Sequence, residues 1–300
     1  MKVCLSGLVI VLLLVASSCN PKQKEMDTYK PVFSTYKNDS ASATAPVIKN
    51  EIFYGILTPV EICTIFNRLG VPYDITALNP ISNKDQYLSS SKASINTGIY
   101  GVDFGYLKAF GIGQELIDYM VTIREMSNKL GIPDSYITEP IRRIQGDTSD
   151  PDTIMKLMNS TFVKMEDHLR ASGRESTAGL MIMGGWVEAM YIATHLVYDP
   201  LKPDAEVVQK IAEQKYTLTS LLSFMKNYYD DPLVVYYTKK LKFLKNYFDS
   251  FEIYFKRGDL EIDTTKQVFR STGSEMTVTV ETLNKIRDYV SKLRGEMVSP

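Results

Sequence analysis

The stretch Ala178–Val197, AGLMIMGGWVEAMYIATHLV, constrains this chain more than any other. Its twenty residues carry two ionisable side chains, Glu188 and His195, and the apolar positions do not keep to one face. A surface helix shows a polar face, so this stretch reads as a helix packed on most sides. Gly184 and Gly185 fall in its middle, where each costs about 1 kcal/mol relative to alanine. Close approach by a neighbouring helix offsets such a cost. Gly185, Ala189 and Ala193 supply a small-residue stripe for it at i, i+4, i+8. A second stripe, Gly98, Gly101 and Gly105, lies in SINTGIYGVDFGYLKAF. The two stripes are expected to face one another, so that large side chains at Gly101 and Gly185 are each strongly destabilising.

The rest of the folded region reads as helices. Thr58, Pro59 and Glu61 form a capping box ahead of an apolar face (Val60, Ile62, Cys63, Ile65, Phe66, Leu69), and Gly70 ends that helix. A helix is expected from near Lys84 to Phe110. Gln114–Leu130 is amphipathic, with Gly131 as its stop. A short segment, Asp134–Ile144, comes next, and Asp150-Pro151 opens a helix to about Ala171. Beyond the central stretch, Pro203 starts a helix through Tyr229, and Asp231-Pro232 opens its successor. That successor has the cleanest register: Leu233, Tyr237, Leu241, Leu244, Phe248, Phe251 and Phe255. KQVFRS and EMTVTVE flank Thr272-Gly273-Ser274 as a candidate β-hairpin, which must pack on the helices because an isolated hairpin is marginal. Glu281–Glu296 closes the chain as a helix. The fold class is therefore all-α: a multi-helix bundle with a small β-hairpin near the C-terminus.

The N-terminal segment carries an address. Lys2 precedes an unbroken apolar run, Leu8–Val15, then Ala16, Ser17, Ser18 and Cys19. Eight apolar residues do not span a bilayer, which takes about 20. The arrangement resembles a bacterial lipoprotein signal, with small residues abutting a cysteine that is lipidated and becomes the mature N-terminus. Ala16 stands where such signals usually have leucine. The expected organisation is a signal peptide over residues 1–18, a lipidated tether over 19–50 and one helical domain over 51–300. In the tether, polar residues and prolines dominate and DSASATAP has no apolar periodicity; fully extended it reaches on the order of 100 Å. Asp39-Ser40-Ala41 resembles a short O-glycosylation sequon of Bacteroidota, as do Asp152-Thr153-Ile154 and Asp263-Thr264-Thr265.

Composition narrows the function classes. Removing residues 1–18, whose one charged side chain is Lys2, takes the formal charge from −1 to −2. That leaves no global field to draw nucleic acid. Cys63 has no intramolecular partner once Cys4 is removed and Cys19 is lipidated, so no disulfide framework is expected. The chain lacks HExxH, paired Glu-x-x-His, Cys-x-x-Cys, G-x-S-x-G and P-loop motifs, so neither a metal nor a cofactor is expected.

GIYGVDFGY (Gly98–Tyr106) and GGWVEAMYIAT (Gly184–Thr194), together with the lipoprotein signal, resemble a group of uncharacterised all-helical lipoproteins of Bacteroidota. That resemblance implies an anchored envelope protein with a helical body, and it carries no activity or catalytic residue.

Two turns separate Glu188 from His195, placing them on one face about 10 Å apart along the axis. Asp103, on the other glycine helix, is the natural third group if the helices cross, and a buried carboxylate must be paired, hydrogen-bonded or protonated. Asp103, Tyr106, Trp186, Glu188, Tyr191 and His195 are thus the candidate ligand-binding residues; the competing reading is that they only satisfy core partners. YYTKKLKFLKNYF (Tyr236–Phe248) offers Lys239, Lys240, Lys242 and Lys245 to an anionic group, although its aromatics are expected to follow the buried seam while the lysines snorkel over it. Two functional classes follow. One is a non-catalytic envelope module, anchored to the outer membrane and facing the periplasm or the surface, that binds an envelope protein, a glycan or a small ligand. The other is an enzyme of unfamiliar type using Glu188 or Asp103 as acid or base.

Overall fold

The structure is a computed structural model describing residues 73–146, 151–255, 260–263, 268–271 and 274–299, with side chains over 73–142, 157–254 and 277–299. The lipoprotein signal, Cys19, the tether, the Thr58–Gly70 helix and Cys63 lie outside the described residues.

Two short 3-10 turns, Ile75–Ala77 and Ile81–Gln86, lead into α1 (Ser90–Ala109). Ser89 caps α1 by accepting from the Lys92 amide, so the helix starts later than the expected Lys84. Next come α2 (Gly113–Lys129), α3 (Ser135–Gly146), α4 (Pro151–Ala171) and α5 (Glu175–Ile192). Gly131 and Gly173, at φ 63° and 69°, take the left-handed turns that end α2 and α4. A π-helical turn, Ala193–Val197, extends α5. The chain continues through α6 (Ala205–Met225), capped by Asp204, and α7 (Pro232–Asp249), capped by Asp231 with Pro232 at its first position. A final helix, α8 (Val280–Val298), starts from a Thr279 cap. The described chain is an all-α bundle, as the sequence reading holds.

Between α7 and α8 lie β1 (Ile253–Phe255), β2 (Leu260–Asp263), β3 (Val268–Ser271) and β4 (Ser274–Met276). β1 pairs antiparallel with β4, and β2 with β3. The pairing differs from the sequence expectation, in which KQVFRS would pair with EMTVTVE. Val268–Ser271 instead pairs backward with Leu260–Asp263, and α8 takes over at Val280. Phe255 correspondingly leaves the α7 seam: the helix stops at Asp249, and Phe255 lies in β1 opposite Ser274.

The core is organised around α1 and α5, which run in the same direction. Ser94 donates to the Thr177 carbonyl at 2.5 Å, Gly98 lies on Met181, and Val102 lies on Gly185. A Cβ at Gly98 would strike the Met181 carbonyl oxygen, and one at Gly184 the Ile95 carbonyl oxygen. The glycine helices do cross at backbone range, but the tight pair is Gly98 with Gly184. The sequence expectation singles out Gly101 and Gly185 as the positions closed to large side chains. A Cβ at Gly185 would meet the Gly98 carbonyl at 3.4 Å, while Gly101 turns toward the Phe162 ring on α4. The one-residue shift is geometric: positions 184 and 185 sit about 100° apart around a helix, so one of them points straight at the neighbour and the other flanks it.

By length and composition α5 with its π turn is long and apolar enough to cross a membrane, yet 78% of that window is buried by the rest of the chain. α7 behaves differently. Val234, Tyr237, Leu241, Leu244 and Phe248 are buried, and the opposite side is solvated. Its aromatics divide between the two sides: Tyr237 and Phe248 enter the seam, whereas Tyr236 and Phe243 are 46% and 50% exposed. Phe243 stacks on Tyr289 of α8, with ring centroids 5.1 Å apart. Lys240 and Lys245 of the basic stretch pair with Glu296 and Asp249.

Candidate functional site

The α1–α5 crossing brings Asp103 and Glu188 together. Both carboxyl groups are fully buried and their side chains lie within hydrogen-bonding reach of each other. α8 lies across them and inserts Arg294. Its guanidinium grips Glu188 through both oxygens, Nε to Oε2 at 2.9 Å and Nη2 to Oε1 at 3.1 Å. Nη2 also donates to the Ala77 carbonyl at 3.0 Å. Such a fork is the strong geometry for an arginine–carboxylate pair. Burial opposes the charge on Arg294, but the field and hydrogen bonds of Glu188 more than offset it and raise its pKa.

Asp103 is held from another direction. Its Oδ2 accepts from the Asn79 amide at 3.1 Å, while Oδ1 receives no hydrogen bond among the described residues. Desolvation first, and then the Glu188 charge, push the Asp103 carboxyl well above the usual carboxylate range, with Arg294 pulling the other way.

Asn79 is the hub of the polar core. Its Nδ2 donates to Asn96, its Oδ1 accepts from Asn83 and Tyr87, and its carbonyl accepts from Tyr119. Asn96 reaches the Met297 carbonyl and Tyr87 the Val298 carbonyl. The loop before α1, the α1–α5 crossing and the C-terminal end of α8 are thereby tied into one buried network. Networks of this kind specify a unique packing when they are fully satisfied.

The other expected residues divide around this centre. Tyr191 lies beside it, with the Arg294 Cζ 4.7 Å from its ring centroid, and its ring stacks on His195 at 4.4 Å. His195 Nδ1 sits 3.1 Å from the Tyr191 carbonyl. Burial lowers its pKa, helped by Arg287 and Arg294 and resisted by the Tyr191 carbonyl and Asp288, so the ring is neutral at pH 7. Two residues leave the grouping. Tyr106 turns away to accept from the Asp74 amide at 2.8 Å and packs against Tyr73 and Phe110. Trp186 points toward α6, where its Nε1 donates to Gln214 at 3.3 Å. Side chains on one helical stretch point in several directions, and neighbours on more than one side claimed these two. Of the six candidate residues, the structure gathers Asp103 and Glu188 with Arg294, places Tyr191 and His195 beside them, and sets Tyr106 and Trp186 apart.

Arg294 and Asn79 are the functional-looking residues that the sequence reading missed. Arg294 had a visible signal: it sits on the apolar register Leu283, Ile286, Val290, Arg294, Met297, where a charge demands a buried partner. Asn79, in a loop between Leu78 and Pro80, had none.

An open groove of about 450 Å³ lies elsewhere, lined by Ser135, Tyr136, Glu139, Pro140, Leu157, Ser160 and Lys164 of α3 and α4. None of the candidate residues borders it. Neither a scan against protein-family models nor searches of curated proteins and of solved structures found a match for the chain.

Proposed function

We propose that this chain is a lipid-anchored protein of the cell envelope whose helical body serves as a non-catalytic binding or structural module. On this reading Cys19 carries the lipid in the outer membrane, residues 20–50 are the spacer, and the partner is another envelope component: a protein, a glycan or a small ligand. Membership of the all-helical Bacteroidota lipoproteins belongs to the same proposal and rests on the stretches at Gly98–Tyr106 and Gly184–Thr194.

The observation that carries the non-catalytic part is the state of the two carboxylates. An acid or base must come within hydrogen-bond reach of the proton it moves. Asp103 and Glu188 are fully buried, with Asn79 donating to Asp103 and Arg294 to both oxygens of Glu188. That arrangement supports architecture over turnover.

Two measurements test the reading. Metabolic labelling with palmitate should mark the wild-type chain and leave Cys19→Ala unmarked; labelling of both, or of neither, would refute the anchor. Native mass spectrometry on a soluble version beginning at Asn20, taken from its own envelope fraction, should give the same masses for wild type and Glu188→Gln. A small co-purifying mass lost only in Glu188→Gln would place a ligand at the cluster and reverse the assignment.

A further inference from the structure

Charge counting at the α1–α5 crossing does not close as it stands. Two carboxyl groups lie within reach of each other in a fully buried site, and one guanidinium faces them. Among the described residues, the other groups packed around Asp103 bring no second charge. α1 brings Tyr100, α2 brings Tyr119 and the preceding loop brings the Asn79 amide, while Tyr87 lies against Asn79 and Tyr191 against Arg294. Burial raises the hydroxyl pKa of Tyr87, Tyr100 and Tyr119, so these three stay neutral at physiological pH. The buried Asp103 Oδ1 meanwhile receives no hydrogen bond among the described residues. A proton on it supplies both missing items.

We propose that the folded chain holds one proton on Asp103, donated in a hydrogen bond to Glu188, so that Arg294 completes a neutral cluster and the helix crossing becomes a pH-sensitive lock. The proton is part of the fold in the way a bound ligand would be. Unfolding exposes Asp103 to water, where a carboxyl group of this kind ionises near pH 4, about 3.9. The unfolding equilibrium therefore releases a proton at any pH between that value and the folded one. The sign follows: stability from this group is fully present below about pH 4 and drains away as pH rises toward the folded pKa, because the native state binds the extra proton. Carboxylates such as the exposed Asp134, held at about 2 by Arg124 and Thr138, act in the opposite sense and lose their contribution only in acid. The two behaviours separate cleanly at neutral pH.

Asp103→Asn imitates the protonated acid. Its carbonyl can accept from the Asn79 amide and its amide N–H can donate to Glu188. In urea titrations of the full chain in mild detergent, the wild-type unfolding constant should rise with pH relative to Asp103→Asn above about pH 4, by up to about tenfold per pH unit. Parallel pH dependence in the two proteins would overturn the proposal. A second reading needs no variant. Infrared spectra of wild type at pH 7 should show a protonated-carboxyl carbonyl stretch above the amide band that moves to lower frequency when the protein is grown with carbon-13 aspartate. Absence of that band would overturn the proposal whether or not Asp103→Asn folds.

Discussion

α5 and α7 are both central to the bundle, and they are held by opposite means. α7 presents a stripe of large side chains to its neighbours and lysines to water, so its contribution grows with the apolar area it buries. α5 is buried on nearly every side, and at its middle it brings backbone, not side chain, against α1. α7 is therefore vulnerable to lost atoms and α5 to added ones. The same contrast holds for polar groups. α7 keeps its charges at the surface, whereas α5 takes Glu188 inside and depends on α8 to neutralise it.

The contrast breaks most visibly at two adjacent glycines. Gly184→Ala should cost more than about 4 kcal/mol, beyond the usual range for overpacking, because the obstructing atom is a backbone carbonyl that cannot rotate aside. Gly185→Ala should stay within about 1 kcal/mol of wild type, since its nearest neighbour lies at 3.4 Å and alanine favours the helix. Equal denaturant midpoints for the two variants would contradict the crossing described here. Arg294→Met comes next, at about 3–5 kcal/mol, by stranding Glu188 and withdrawing the donor from the Ala77 carbonyl. Urea unfolding reads this directly, and a neutral result would mean that the ion pair is dispensable.

On the α7 side, Leu241→Ala should lower stability by about 3 kcal/mol through the cavity it leaves in the seam. Phe243→Ala, half exposed and stacked on Tyr289, should cost about 1 kcal/mol or less by thermal melting. A reversed order for these two would show that the seam is drawn on the wrong face.

Much of this architecture could be read from the residues because the governing signals are local. Asp231-Pro232 marks the start of α7, Pro151 the start of α4, and the apolar register of α7 survives as far as Phe251. The glycines of α1 and α5 announced a close crossing, and Asp103 meeting Glu188 followed from it. What escaped depends on distant partners. Which of two neighbouring glycines makes the contact is a matter of helix rotation. Whether KQVFRS pairs forward or backward depends on the strand offered by Ile253–Phe255, where Phe255 also fits the apolar register of the preceding helix. The arginine that completes the cluster lies 106 residues from Glu188, and nothing near Glu188 points to it.

The reach of that network also says something about how the chain comes to be made. Arg294 bonds Ala77 across 217 residues, Tyr87 bonds Val298 across 211, and Lys92 bonds the Ser299 carbonyl across 207. The loop that opens the described body cannot find these partners until residues 294–299 have left the ribosome. Such long closures slow folding in general. In this chain they place that step of assembly after α8 has been synthesised. A nascent chain lacking its final helix would carry Glu188 with no cation to meet it.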